Sequence, residues 1–450
     1  MILAIVLVLL VVGSVLFHYL SPWYFTPLAS NWHAVDDTVT LTFWVTGFVF
    51  VAVNLFMAYV VMRYRHREGV RAEYEPENKK LEGVLILLTT VGVVALLAPG
   101  LFVWAKYVTV PKDAAVVEVL ARQWYFNYRF PGADGVLGTV DARFVSDTNS
   151  FGINPDDLHG QDDVLISGSQ LHLPIGKPVK VNLRSIDTLH DFTVPQFRAK
   201  MNAVPGLVTF FWFTPTRTGK FDAYCEQLCG IAHFAMRGKV VVDAEPAFKI
   251  WLSSYPTFAQ SAAQVAGDAV AGMPLYAVCA ACHGQQAEGN PALNAPKLSG
   301  QGDWYLRRQL QNFRNGARGT PDQDVAGKTM AAMAATLVDD ASIDNVVAYI
   351  KTLSDNPALA TVRGNAQHGQ IPYKTCGACH GADGQGVQAM NAPRLKGMSD
   401  WYLVTQLKNF QQGIRGVHPN DMYGPQMAMM ATILVDDQAT RDLVAYINTF

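Results

Sequence analysis

Three uncharged apolar runs crowd the first hundred residues, at 2–20, 41–62 and 83–104. Each can cross a hydrocarbon core of about 30 Å as a helix of roughly 20 residues. Runs this long without charge are rare in soluble domains, which disfavours the alternative of buried core helices and makes the membrane the first constraint on the fold. Between the second and third runs lie Arg63, Arg65, Arg67, Arg71, Lys79 and Lys80. The positive-inside rule then sets this loop in the cytoplasm and everything after Lys106 on the far side. The first run has two readings. It is long for a signal h-region and no basic residue precedes it, which favours a retained helix, but Val12-Gly-Ser could sit near a processing site.

Beyond the runs the pattern changes. The 450 residues correspond to roughly three folded units at about 150 residues each. The net charge of −2, with no concentration of lysine and arginine outside that one loop, gives no sign of a nucleic-acid partner. From 114 to about 243 short alternating runs, such as Val116-Val-Glu-Val-Leu and Lys177-Pro-Val-Lys-Val-Asn-Leu, are broken by Pro, Gly and Asp, which predicts an all-β sandwich or barrel.

Cys225, Cys229, His233 and Met236 fall within twelve residues. Soft ligands packed this densely predict copper, and two cysteines exceed what a single-copper blue site needs. Both sulfurs can bridge a pair of copper ions, with His190 and His233 terminal, Met236 weakly bound and a backbone carbonyl completing the set. A zinc site of His190, Cys225, Cys229 and His233 is the competing reading, and it leaves Met236 without a role. The other four of the six cysteines lie in Cys279-Ala-Ala-Cys282-His283 and Cys376-Gly-Ala-Cys379-His380. Three disulfides would need no histidine at a fixed offset, so the cysteines read as metal and haem chemistry instead.

Cys-x-x-Cys-His sets two thioether-forming sulfurs and an axial imidazole on one helical turn, the attachment motif of a c-type haem, although one copy alone could be a redox dithiol. Here the motif recurs inside a duplication. Cys279 and Cys376, Asn294 and Asn391, Trp304 and Trp401, Arg318 and Arg415, and Met330 and Met427 are all offset by 97 residues without a gap. Met330 and Met427 are the candidate sixth ligands, with Met333 and Met430 in the same register as alternatives. Trp304, Tyr305, Trp401 and Tyr402 read as haem packing.

Residues 40–252 resemble subunit II of the haem-copper oxygen reductases. The resemblance rests on Gln123-Trp124-Tyr125, Asp187-Thr-Leu-His190, Val204-Pro-Gly206 and the loop from Cys225 to Met236. It implies a cupredoxin-like domain with a binuclear CuA centre. His190, Cys225, Cys229, His233 and Met236 would be ligands through their side chains, Gln227 through its carbonyl, and Trp124 would lie near the face where electrons arrive. The family usually has glutamate at the position of Gln227. A neutral amide is a weaker partner for magnesium than a carboxylate, which counts against magnesium at the border with subunit I. Glu82 resembles a glutamate at the mouth of a proton pathway, and reads equally as a solvated interfacial carboxylate. The C-terminal half resembles dihaem cytochromes of the c4 type, which implies Cys279, Cys282, His283 and Met330 at one haem and Cys376, Cys379, His380 and Met427 at the other.

The expectation is a multidomain chain: a transmembrane helix or signal at 1–22, a transmembrane hairpin at 38–108, a cupredoxin-like domain at 109–252, a linker at 253–266, an all-α cytochrome c domain at 267–354, a second linker at 355–364 and a second cytochrome c domain at 365–450. The resemblance implies subunit II of a caa3-type cytochrome c oxidase in the bacterial inner membrane, with copper and haem in the periplasm. It would pass electrons from a cytochrome c or bc1 complex to an oxygen-reducing subunit I, with subunit III a further partner, and would not itself reduce oxygen. A nitric oxide reductase subunit that uses CuA, a membrane-anchored carrier and a copper-assembly module remain alternatives, whereas intact copper cysteines exclude a quinol oxidase subunit.

Overall fold

The protein is described here by a computed structural model over residues 1–21, 25–71, 74, 76–146, 148–168, 170–262, 267–421 and 423–450. The apolar runs form helices α1 (Ile2–Leu20), α2 (His33–Arg63) and α3 (Lys79–Val108), each long and apolar enough to cross a membrane. Their apolar side chains, among them Phe48, Phe56, Ile86 and Leu88, point outward instead of into a core, a face that lipid covers and water does not. Helix α2 starts well before the apolar run. The polar extension is held because Arg198 donates to both oxygens of Asp36, at 2.6 and 2.8 Å, a bidentate pair. The Trp32 indole donates to the Trp212 carbonyl at 2.8 Å and the Trp212 indole to the Lys106 carbonyl at 3.1 Å, so the ends of α2 and α3 are tied to the following domain.

That domain is two five-stranded sheets. One runs β3 (Val164–Ser167), β2 (Tyr125–Phe130), β1 (Ala115–Arg122), β5 (Val179–Ser185), β8 (Thr209–Phe213); the other runs β4 (Gln170–Pro174), β10 (Arg237–Asp243), β9 (Gly219–Tyr224), β6 (His190–Val194), β7 (Ala199–Ala203). A short helix, α4 (Leu158–Gln161), precedes β3. The alternation seen in sequence becomes inward and outward faces: Val179, Val181 and Leu183 of β5 are buried, while Lys180, Asn182 and Arg184 between them are only partly so. Phe126, Phe192 and Phe211 meet between the sheets. A charge cluster is buried on the opposite face of the first sheet, beside Phe151: Arg129 donates to Glu118 at 2.6 Å and to Asp163 at 2.8 Å, and Arg184 reaches Glu118 at 3.3 Å. Residues 253–262, part of the stretch that reads as a linker, are ordered on this domain. Ser253 ends α5 (Glu245–Ser253), Phe258–Ala262 forms α6, and Phe258 is buried against Leu120, Phe151 and Ile153. Residues 263–266 lie outside the described residues.

The duplication appears as two four-helix repeats. The first has α7 (Ala269–His283), α8 (Asp303–Arg314), α9 (Val325–Ala334) and α10 (Asp340–Thr352); the second has α11 (Ala366–His380), α12 (Asp400–Gln411), α13 (Gly424–Ala431) and α14 (Asp437–Ile447). In each, the first and last helices cross at a glycine. A Cβ on Gly272 would lie 1.9 Å from the Asn345 carbonyl, and one on Gly369 1.9 Å from that of Asp442, so no side chain fits at either crossing.

Arg129→Ala would leave the buried Asp163 without its cation and Glu118 with Arg184 alone, at a cost of about 3–5 kcal/mol. A marked fall in the melting temperature of the β domain is the expected outcome, read from thermal unfolding of the detergent-solubilised chain.

Candidate metal and haem sites

The loop between β9 and β10 is closed by strand register. Tyr224 pairs with Arg237, and the Cys225 N–H donates to the Met236 carbonyl at 3.2 Å, so the ends of the twelve-residue segment are brought face to face. Within it the Cys225 and Cys229 sulfurs lie 3.7 Å apart. A disulfide would need about 2.05 Å, and both thiols are free. His233 Nδ1 is 3.4 Å from the Cys229 sulfur and Met236 Sδ 3.9 Å from it. The Gln227 carbonyl oxygen is 3.2 Å from the Cys225 sulfur. His190, at the start of β6, sets its Nδ1 3.9 Å from Cys225. Each sulfur therefore has its own imidazole, and the thioether of Met236, 1% exposed, sits inside the cluster.

Neighbouring groups aim these side chains. Asp187 accepts from His190 Nε2 at 2.8 Å, which leaves Nδ1 free to face the sulfurs. Asp187 also accepts the Gln123 backbone N–H at 2.7 Å, while the Gln123 amide and the Trp124 indole both donate to the Cys229 carbonyl, at 2.8 and 3.1 Å. The hydrogen bond from Cys229 holds the Cys225 thiol far below the ordinary thiol range despite its burial, with His190 adding to the effect, and Cys229 is pushed up in consequence. A thiolate-rich set of two sulfurs, two imidazoles, a thioether and a carbonyl fits copper, and the buried thioether at its centre fits zinc poorly. Gln123 and Asp187 went unassigned in the sequence, since only proximity reveals them as supports. Glu82 lies in the first turn of α3, exposed.

The two haem motifs end α7 and α11 in matching geometry. His283 Nδ1 donates to the Pro296 carbonyl and His380 Nδ1 to that of Pro393, each at 2.7 Å. A carbonyl can only accept, so the proton is on Nδ1 and the Nε2 lone pair is free to bind iron. Burial pulls both imidazoles down, which keeps them neutral. Burial also pushes the Cys376 thiol up to about 12 and Cys379 to about 11, the opposite of what a reactive redox dithiol needs. Both motifs open on a continuous, mainly apolar cavity that Met330 and Met333 line in the first repeat and Met427 and Met430 in the second.

The tyrosines that read as packing do more than pack. Arg318 of the first repeat donates to Tyr402 at 2.6 Å and Gln406 at 2.9 Å of the second; Arg415 returns to Tyr305 at 3.0 Å and Gln309 at 3.1 Å. Among the described residues the buried Nε atoms of both arginines have no hydrogen-bond partner, and both residues line the cavity. Two buried guanidinium groups in the wall of an apolar slot with a free imidazole suit a flat apolar macrocycle with carboxylate arms, as haem is. The shared offset of Arg318 and Arg415 was visible in sequence, but the crossing was not.

A β-sandwich with a soft-ligand loop, anchored by membrane helices and followed by two Cys-x-x-Cys-His repeats, defines a membrane-bound electron-transfer protein. Residues 115–244 match the family described as cytochrome c oxidase subunit II, periplasmic domain, and 269–354 and 366–450 match the cytochrome c family. The chain is 59% identical over 256 residues to the alternative cytochrome c oxidase subunit 2 of Bradyrhizobium diazoefficiens, covering 57% of this chain and 92% of that one. It is 30% identical over 240 residues to cytochrome c oxidase subunit 2 of Cereibacter sphaeroides, covering 50% and 77%. It is 36% identical over 167 residues to cytochrome c4 of Stutzerimonas stutzeri, covering 34% and 77%. The chain belongs to the cytochrome c oxidase subunit II family. It is the electron-input subunit of a terminal oxidase, extended by cytochrome c domains, and its families imply copper, haem c, periplasmic soluble domains and a catalytic partner subunit.

Replacing both Arg318 and Arg415 by leucine strands Tyr305, Tyr402, Gln309 and Gln406 at the boundary between repeats. Each lost pair costs about 1–3 kcal/mol. The expected outcome is faster proteolytic cleavage in the 354–364 connection and a lower melting temperature of the haem half.

Proposed function

We propose that the copper loop holds a binuclear CuA centre and that each repeat holds one covalent haem c. The observation that carries this reading is the pair of free sulfurs 3.7 Å apart with one imidazole against each. Cys225 and Cys229 would bridge two copper ions, with His190, His233, Met236 and the Gln227 carbonyl as the remaining ligands. Cys279, Cys282, His283 and Met330 would hold one haem, and Cys376, Cys379, His380 and Met427 the other. Copper and haem iron supply one-electron uptake and release when bound. The residues of the chain keep the ligands in position, exclude water from the cluster and hold the imidazole protons of His190, His283 and His380 on the nitrogen that faces away from the metal.

In this reading the domains run 109–252, 267–354 and 365–450 beyond the helices at 1–22 and 38–108, and the helices lie in the bacterial inner membrane. Subunit I, and subunit III beside it, would take the membrane face; a cytochrome c or a bc1 complex would be the donor. Glu82 would stand at a proton entrance, and Gln227 would bind no magnesium through its amide.

Metal and haem analysis of the purified chain is expected to give two coppers and two haems c, with the seven-line paramagnetic pattern of one electron shared by two coppers. Cys225→Ser should reduce copper to near zero and leave haem unchanged; copper retained in that variant, or zinc in its place, would refute the centre. Met427→Leu should alter the haem spectrum and Met430→Leu should not, and the opposite result would exchange their roles.

A further inference from the structure

We infer that the second haem repeat hands electrons to the copper loop, and that the first repeat is the intake, receiving a reduced haem protein on the face formed by Leu293, Val325 and Ala326. The inference rests on the proposed cofactor set and adds an order and a docking surface to it.

The order follows from which repeat touches the copper domain. Among the described residues, the hydrogen bonds between the copper domain and the haem half all end in the second repeat. Gln426 donates to the Trp124 carbonyl at 3.1 Å, Tyr125 donates to the Ala389 carbonyl, and Gln170 donates to the Pro419 carbonyl at 3.0 Å. Tyr423 meets Tyr125 edge to face at 6.5 Å between centroids. Met430, 9% exposed, belongs to the same apolar cluster as Cys225, Cys229 and Met236, and Cys379, Met390 and Met427 pack against it. The haem slot of the second repeat thus shares a dry wall with the sulfur loop. Trp124 bridges them: its indole is on the Cys229 carbonyl and its own carbonyl is on Gln426. Tunnelling falls steeply with separation, so the contacting repeat is the one able to supply the copper.

The intake follows from the duplication. Ala389, Met390, Pro419, Tyr423 and Gln426 form the face that is seated on the copper domain, and their 97-residue counterparts are Ala292, Leu293, Asp322, Ala326 and Thr329. In the first repeat all five counterparts are exposed. Leu293 is 53% exposed and Val325 beside Ala326 is 72% exposed, both on the rim of the cavity. A face that in one copy is the contact to a redox partner is, in the other copy, bare, apolar and open at the haem slot. The flanking charges Asp322 and Lys328 pair with each other, and the Asp324 carboxylate accepts the Gly327 N–H at 2.9 Å. Such a patch suits a partner with an apolar rim around an exposed haem edge, and a small interface of the kind that electron-transfer encounters use. Each transfer moves one electron: the donor haem goes from ferrous to ferric as the haem of the first repeat goes from ferric to ferrous, and the same electron then passes to the second repeat and the copper pair. No bond or proton changes place.

The test uses the full chain with its cofactors, mixed with a reduced soluble monohaem cytochrome c. Single Leu293→Asp and Val325→Asp substitutions are at exposed positions and should leave copper content, haem content and melting temperature unchanged. They are expected to lower the second-order rate of haem reduction tenfold or more, and to leave untouched the later first-order rate at which the copper absorption bleaches. Gln426→Ala should do the reverse. A photo-crosslinking residue at position 325 should capture the monohaem cytochrome. Capture of a second copy of this chain instead, or an unchanged second-order rate in both aspartate variants, overturns the docking face. A loss of second-order rate in Gln426→Ala alone reverses the order. Loss of copper or haem from the unsubstituted chain would mark failure of the cofactor assignment and is read separately on the same sample.

Discussion

Pairing of Tyr224 with Arg237 across β9 and β10 brings Cys225 opposite Met236, and nearly everything functional in the β domain leans on that closure. With its ends joined by the ladder, the loop has little choice but to fold its soft side chains inward. There the sulfurs meet His190 from β6, a strand adjacent to β9 in the same sheet. The site is therefore built on the rigid centre of the sandwich, and the groups that orient it, Asp187, Gln123 and Trp124, come from the turns at the same end. A cluster of ligands on a free loop would pay the ordering entropy each time it closed; this one is ordered by the strands that carry it.

The haem half obeys a different constraint, its duplication. Two copies of one unit face each other across a shared cavity, and the arginine of each copy reaches the tyrosine and glutamine of the other. The contact is closely reciprocal, as in a two-fold dimer, except that a covalent connection replaces association. The copies also diverge at their outer faces. Where the second carries Met390, Tyr423 and Gln426 against the copper domain, the first carries Leu293, Ala326 and Thr329. Placing the proposed haem and copper sites in one chain would sustain a high effective concentration between them and make transfer from one to the other less dependent on salt and on a free carrier.

Membrane attachment completes the arrangement. Arg198 on Asp36, and Trp32 and Trp212 on backbone carbonyls, fasten the β domain to the ends of α2 and α3. The domain consequently cannot swing freely on its anchor, and the copper loop keeps a set attitude to the membrane in which the catalytic partner lies.

Sequence by itself determined the chemistry and the inventory of parts. Apolar run length named the membrane helices, two-residue alternation named the sandwich, and ligand types at short spacing named copper and haem, because each of these signals is local and survives in one dimension. The 97-residue offset did the same for the duplication. The sequence could not show that Asp187 turns His190, that Phe258 pins the start of the apparent linker, that Arg318 reaches Tyr402, or that Gly272 and Gly369 sit where two backbones nearly touch. Nor could it say which repeat rests on the copper domain, since both copies carry nearly the same ligands and the nearer one in sequence is the farther one in contact. Those facts depend on which surfaces meet when the domains pack, and packing is decided by shape and burial across residues up to about three hundred positions apart, such as Trp124 and Gln426, for which no local pattern exists.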